Sequence, residues 1–277
     1  LDAFTWGNVE DIHIIEDGDG LAFAFIGIVP ERRLPLAAVY GFLILRNGVP
    51  IGYGQADALL GSAEIAFNTF DTFRGAASAF IFARLLAATR ALLGSDAFSL
   101  EPYQLGHHNK EGISSGAWWF YFKLGFRPHD PAQKRIVSRE LARMQRNPRH
   151  RSSAATLTRL ARTHLYWEPF RGRRAWLPRI PGIGLQLPVL SDSEAGQLVR
   201  QRLGLRSLGG WSPAEVRGLY RLAPLLAVLP GIEAWKPAAK KAAIAVLRAK
   251  GGRYEREFVR QLDAHAELSA ALMGLPV

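Results

Sequence analysis

The dipeptide Asn47-Gly48 stands between two apolar segments, Tyr40–Arg46 and Val49–Ala56. A two-residue hairpin of type I′ needs positive φ at both central residues, and Asn followed by Gly accepts this at least cost. The chain is therefore predicted to fold back on itself here as an antiparallel pair. Ile12–Ile15 and Leu21–Val29 are also apolar and β-rich, and they flank the turn sequence Asp17-Gly18-Asp19-Gly20. Glu64–Phe70 is a further strand candidate. Gly75 opens a long helical stretch, Ala76–Leu93, stopped near Gly94. Phe98–Leu105 reads as a strand, and Ser114–Leu124 as a helix ended by Gly125. Strands, helix, strand, helix is an α/β or α+β order. No internal repeat is visible.

The second half changes character. Pro131–Arg162 is rich in Arg, Ala and Leu and reads as helical. Trp167–Pro188 is crowded with Pro, Gly, Arg and Trp, the composition of an irregular linker or arm. Three helical segments follow: Asp192–Leu203, Ser212–Val228 and Lys236–Leu272, the last interrupted at Gly251-Gly252. Ser212-Pro213-Ala214-Glu215 is a start signal, with Ser as N-cap, Pro at the first helical position and Glu closing a capping box.

Charge divides the chain in the same place. Residues 1–130 hold nine Lys/Arg against fourteen Asp/Glu, a net −5, and residues 131–277 hold twenty-six against ten, a net +16. Such asymmetry predicts regions with different surfaces and partners. The 277 residues, 48% hydrophobic, suffice for one large domain or two ordinary ones. We expect a mixed sheet flanked by helices in residues 1–130, a basic helix and linker in 131–190, and a basic helical domain in 191–277. With no cysteine, disulfides, thiolate nucleophiles and cysteine-held metals are excluded. No apolar run reaches the roughly 18–20 residues of a membrane helix. No signal peptide is visible, and a cytoplasmic protein is expected. The sequence begins at Leu1 rather than Met, which points to a missing N-terminal stretch.

The chemistry-bearing unit is Glu64–Leu93: a strand, the small-residue turn Asp71-Thr-Phe-Arg74-Gly75-Ala76-Ala77-Ser78-Ala79, and a helix. A turn of small residues exposes backbone N–H groups at the positive end of the helix, an arrangement that binds phosphate or pyrophosphate. Small side chains there also let a helix pack closely on a sheet, and the turn alone does not choose between these. It lacks the glycine spacing and lysine of a P-loop or dinucleotide fingerprint.

Here the sequence resembles the GNAT family of acyl-CoA-dependent N-acyltransferases, over residues about 40–128. That family carries Arg/Gln-x-x-Gly-x-Gly/Ala between its fourth strand and third helix. Arg74-Gly75-Ala76-Ala77-Ser78-Ala79 is similar at Arg74 and Ala79, with Ala77 where glycine is usual. Ala117-Trp-Trp-Phe-Tyr121-Phe-Lys-Leu-Gly125-Phe126 resembles the family's Ala-x-x-x-Tyr-x-x-x-Gly-Phe. The resemblance implies a GNAT-like sheet with acyl-CoA or acetyl-CoA as co-substrate and an unidentified amine as acceptor. It implies that residues 74–79 hold the pyrophosphate and that backbone N–H groups near Thr69 and Phe70 hold the thioester carbonyl. It implies that Tyr121 protonates the departing thiolate, a task suited to a phenol still protonated at neutral pH. Tyr121 also fits as one more core aromatic beside Trp118, Trp119, Phe120 and Phe122. Asn109 is offered as the family's Asn near the pantetheine arm, although it lies eight residues before Ala117 rather than three.

Acyl transfer to an amine also needs a proton acceptor. Glu64, Asp71, Glu101, His107 and His108 are the candidates, with Glu64 first because it begins the central strand. Glu64 could equally be an exposed strand-end charge, and Asp71 a turn cap. Adjacent histidines without a third ligand are poor support for zinc, and no metal is expected. The basic half suits nucleic acid, an anionic membrane surface or an acidic protein such as an acyl carrier. It also suits packing on the acidic first half, or a plain solvated surface. The rival to an enzyme is a non-catalytic GNAT-like module whose basic helices bind such a partner.

Overall fold

The structure, a computed structural model, describes residues 2–75, 77–179 and 190–275. It is a mixed α/β protein, built on one eight-stranded sheet with twelve α-helices among the described residues. After the short helix α1 (Asp2–Thr5), strands β1 (Gly7–Gly18), β2 (Leu21–Ile28), β3 (Ala38–Arg46), β4 (Val49–Leu59) and β5 (Ser62–Thr69) form an antiparallel meander. Both expected hairpins form. Asp19 and Gly20 have φ of 49° and 72°, and Asn47 and Gly48 have φ of 49° and 78°. A third tight turn joins β4 to β5 with Leu60 at φ 50° and Gly61 at φ 67°. A bulky residue is strained there. The turn is held from outside, because the Gly61 N–H donates to Asp263 at 3.0 Å.

After β5, helix α2 (Ser78–Leu93) crosses to β6 (Ala97–Leu100), which lies parallel to β5. The strand expected over Phe98–Leu105 thus ends five residues early. Pro102 cannot donate to a ladder and opens helix α3 (Pro102–Leu105) instead. The helix expected over Ser114–Leu124 is two pieces, α4 (Lys110–Ser115) and α5 (Ala117–Lys123), because Gly116 is left-handed at φ 69°. Strand β7 (Arg127–Pro128) follows.

The expected helical run Pro131–Arg162 is also divided, into α6 (Pro131–Arg146) and α7 (Ala154–Leu160), the latter capped by Ser153. The Pro/Gly/Arg segment is irregular over 168–176 as expected and its residues 180–188 lie outside the described residues, but its first residue, Trp167, belongs to a strand. Leu165–Trp167 forms β8, which enters the sheet between β6 and β7. The sheet order is therefore β1-β2-β3-β4-β5-β6-β8-β7.

From Asp192 onward every described element is helical: α8 (Asp192–Leu203), α9 (Pro213–Val228), α10 (Pro237–Lys250), α11 (Glu255–Ala264) and α12 (Ala266–Met273). The expected capping box at Ser212/Glu215 is present. The long segment breaks at Gly251-Gly252 as expected and again at His265, whose ring caps α12. No helix among the described residues is long and apolar enough to cross a membrane.

One sheet face carries the core. Phe42, Ile65, Phe67, Phe82, Leu85 and Phe98 are buried there, and α11 packs against α2 and β3. A buried charged network ties the C-terminal helices to this sheet. Arg33 donates to the carbonyls of Ile28, Lys250, Gly252 and Arg253 at 2.6–3.2 Å. Lys250 pairs with Glu255 at 2.5 Å, and Asp11 accepts from the Glu255 N–H at 2.9 Å and from the Tyr40 hydroxyl. Arg33 thereby satisfies carbonyls left open at the end of α10, where a cation also suits the helix dipole. Further contacts between the halves are Arg217 with Glu31 and Arg253 with Glu10.

Candidate functional site

The site follows from the way β5 and β6 part. Their parallel pairing covers only Ser62↔Ala97, Ala63↔Phe98 and Glu64↔Ser99. β5 runs on to Thr69 while Pro102 turns the chain away from it. From Ile65 onward the β6-side flank of β5 is open to something other than a strand. The side chain of Gln104 reaches into this gap. Its Oε1 accepts from the Phe67 N–H at 3.2 Å, and its Nε2 donates to the Phe67 carbonyl at 2.7 Å. The same Nε2 donates to the Tyr121 hydroxyl at 2.8 Å.

Tyr121 therefore meets the gap from the core face. Its ring packs edge-on to Phe82 and Phe126, and only 2% of the residue is exposed. Burial pushes the phenol well above its ordinary value, against a smaller opposing pull from the Gln104 hydrogen bond. Tyr121 is thus both a core aromatic and a polar group at the gap.

The opposite face carries a polar row. Successive residues alternate faces, so Glu64 points away from Phe67. Asp57 stands opposite Glu64, Glu64 opposite Ser99, and Ser99 opposite Tyr166 across four neighbouring strands. Ser99 donates to Glu64 Oε2 at 2.9 Å, and His164 Nε2 lies 3.3 Å from the same oxygen. Gln55 donates to Asp57 at 2.8 Å. Burial drives the Asp57 carboxyl up to about 7; the Gln55 bond opposes this, and Glu64 and Glu101 add to it. Glu101 is raised by burial and then by Glu64. Burial first, and the neighbouring carboxylates after it, thus hold a proton on Asp57 up to about 7. Beside it, His129 stacks on Tyr166 at 3.9 Å, and Glu168 pairs with both His129 and Arg179.

The turn before α2 is exposed from Asp71 to Gly75, and no described side chain caps the helix. A Cβ built on Gly75 would meet nothing within 4 Å, so the space beside it is open. Arg74, itself exposed, is held along the surface, with its Nε donating to the Thr69 carbonyl at 2.9 Å and its guanidinium on Asn68, Asp71 and Glu111. Ser78 Oγ accepts from the Gly75 N–H at 3.3 Å. Ala77 and Ala79 flank it at the first turn of α2. Ala76 lies outside the described residues.

Other expected residues are used locally. The Phe70 N–H is bonded to the Ile51 carbonyl at 3.0 Å, which leaves Thr69 as the one of the pair facing the gap. Asn109 caps α4 through Gly112 at 3.1 Å and donates to Tyr103 at 3.2 Å. Asp71 is a surface partner of Arg74. His107 and His108 follow helix α3 rather than a strand end, with their rings 4.0 Å apart. Glu101, not the histidines, stands where β6 ends.

Asp57, Ser99, Gln104, His164 and Tyr166 were missed by sequence reasoning. Asp57 had a signal: Gln55-Ala-Asp57 puts two polar groups on one face of an otherwise apolar strand. His164 and Tyr166 had none, since a three-residue strand after a helix leaves no periodicity to read. Comparison with models of known families, with curated proteins and with solved structures finds no match.

Proposed function

We propose that this chain is a GNAT-type N-acyltransferase that uses an acyl-CoA thioester and acts at the gap between β5 and β6. The observation that carries the reading is the gap itself: Tyr121 reaches it from the core face while Glu64, with His164 and Asp57, lies on the other. The element order from β5 through the Arg74–Ala79 turn, α2, β6 and α5 to β7 agrees with the resemblance.

In this reading the open turn at Gly75 and the uncapped start of α2 receive the CoA phosphates. The acceptor amine loses its proton to Glu64, directly or through water, and its lone pair attacks the thioester carbonyl. Backbone N–H near Thr69 stabilises the oxyanion. Collapse re-forms the carbonyl, breaks the C–S bond, and the thiolate takes a proton from Tyr121.

Calorimetric titration with acetyl-CoA and longer acyl-CoAs tests this directly. Binding with measurable heat and a thermal shift is expected. No heat and no shift with any of them would sink the enzyme reading. The alternative, a non-catalytic GNAT-like module with a basic binding region, is favoured by one observation: the Arg74 guanidinium and the Asn109 amide are both bound internally. It predicts binding of a polyanion by full-length chain, weakening steeply with salt, alongside no acyl transfer.

A further inference from the structure

The surplus positive charge of the second half has one location. Residues 131–162, which span α6, the following loop and α7, hold nine Lys/Arg against a single Glu, a net +8. All nine cations are exposed, whereas Glu140 is buried and bonded to Arg143, His150 and Ser152. The last two bonds draw the loop back onto α6, and the Gln133 amide donates to the Leu160 carbonyl of α7 at 3.0 Å. Gln133, Val137 and Glu140 mark the buried side of α6. At about 3.6 residues per turn, Arg135, Arg139 and Arg146 fall on the opposite side, in a row roughly 16 Å long. Arg149 in the loop and Arg159 and Arg162 near the end of α7 are exposed as well. None of these six forms an ion pair among the described residues, and the one carboxylate of the segment is already taken. The cations of the C-terminal helices are used differently. Arg202 pairs with Glu233, Arg248 with Glu215 and Arg253 with Glu10, so much of that charge is neutralised within the fold.

We propose that the α6–α7 pair is a binding face for the phosphate backbone of a nucleic-acid duplex, contacted without regard to base sequence. Guanidinium groups with no internal partner suit phosphate, which they meet with two parallel hydrogen bonds. Each such contact releases condensed counterions, so a row of them binds without any apolar contribution. The lack of apolar surface also decides among anionic partners. A helix lying in a membrane interface needs an exposed apolar face, and a protein interface needs an apolar centre. Here Val137 is buried, Ile136 packs against the core, and Leu141, 38% exposed, is the one large apolar side chain that the segment exposes. A single strand is held by stacking its bases on aromatic rings. The segment contains no Phe, Trp or Tyr, and Trp119, which donates to Ser152, is packed against Trp118 and Phe122. The face is independent of acyl transfer at the gap, which the acyl-CoA titration tests separately.

The test is fluorescence anisotropy of a labelled DNA duplex of about 20 base pairs, and of the RNA duplex of the same sequence, titrated with the whole chain from about 50 to about 300 mM salt. Affinity should fall steeply with salt, and duplexes of unrelated sequence should bind within a few-fold of one another. Binding of one kind of duplex alone supports the face and assigns it to DNA or to RNA. Arg135→Gln, Arg139→Gln and Arg146→Gln together should weaken binding at least roughly tenfold near about 100 mM salt, and should make the log–log salt dependence shallower by about 3. The same three positions changed to Lys keep the charge and should keep affinity within about threefold, which separates charge from any disturbance of α6. Lys236→Gln, Lys240→Gln and Lys241→Gln remove as much charge from another helix and should alter binding less than about twofold. Wild-type affinity in the α6 Gln triple overturns the proposal. So does equal weakening by both Gln triples, since net charge alone would then be responsible. Equal affinity for poly-glutamate, or for vesicles of phosphatidylcholine and phosphatidylserine, overturns it in favour of another anionic partner. Undetectable binding of both duplexes near about 100 mM salt overturns it outright.

Discussion

Asp57 and Glu64 face each other across the β4–β5 ladder, the first on Gln55 and the second on Ser99 and His164. Burial is the main reason the Asp57 carboxyl is raised, and the charge of Glu64 adds to it. The sheet has assigned them different surroundings. Glu64 keeps a hydroxyl donor and an imidazole, whereas the half-buried Asp57 has one amide donor. The environment therefore leaves Asp57 as the group that retains its proton to about 7.

A stability profile follows from Asp57. Its carboxyl ordinarily titrates at 3.8 and is raised to about 7 in the fold. Between those values the folded chain binds the extra proton and the unfolded chain does not. Asp57's contribution thus favours folding at the acidic end and declines as pH rises through that window. Asp57→Asn removes the penalty while keeping an acceptor for Gln55. Urea denaturation should find the variant more stable than wild type by roughly 2–4 kcal/mol at pH 8, with little difference at pH 4. An equal gain at both pH values would show that the effect is not the carboxyl's charge.

Glu64 carries a different expectation. As the proton acceptor it should be needed for turnover and not for the fold, since it is a half-exposed strand residue on the polar face. Glu64→Gln keeps the acceptor for Ser99 and loses the basicity. Thiol release from acetyl-CoA in the presence of an amine mixture should fall about 100-fold at pH 7. Unaltered release would move the base to Asp57 or His164.

The residues that could be read from sequence were those whose signals are local. Asp19-Gly20 and Asn47-Gly48 declare their turns because positive φ selects these residue types. Leu60-Gly61 makes the same kind of turn invisibly, since nothing about a leucine advertises positive φ and its hold comes from Asp263, two hundred residues away. β6 was overextended because Phe98-Ser99-Leu100-Glu101 alternates apolar and polar residues as a strand does, and Pro102 ends that pattern. The site divides in the same way. Tyr121 could be singled out from a short motif, and Glu64 from its place at the start of an expected strand. The row joining Glu64 to Ser99, His164 and Tyr166 exists only once β8 has been inserted beside β6, a register set by packing rather than by any segment's own pattern.

The joint between the sheet and the C-terminal helices should behave as a coupled unit. Lys250 and Glu255 are buried and 2.5 Å apart, with Arg33 beside Glu255 at 3.8 Å. Burial lowers Lys250 and raises Glu255, each opposed by the other's charge. Lys250→Met leaves Glu255 with the more distant Arg33 and should cost about 3–5 kcal/mol in chemical denaturation. Adding Glu255→Gln should recover a large part of that loss. Additive losses in the double variant would mean that the pair is not coupled.

Tyr121 separates a structural role from a chemical one most cleanly. Its ring belongs to the aromatic cluster with Phe82 and Phe126, and Phe in its place preserves that packing. Removing the hydroxyl costs Gln104 one of its bonds, while Gln104 Nε2 keeps the Phe67 carbonyl. Tyr121→Phe should therefore lose no more than about 1 kcal/mol of stability. Coenzyme A affinity should stay within roughly twofold, because the hydroxyl is not among the groups facing the phosphates. Turnover should fall by about 100-fold if the phenol protonates the thiolate. The loss should shrink with an acyl donor whose thiol leaves readily as the anion, since a better leaving group needs the proton less. A packing defect would lower turnover equally for both donors, so the ratio between them identifies the hydroxyl as the proton source.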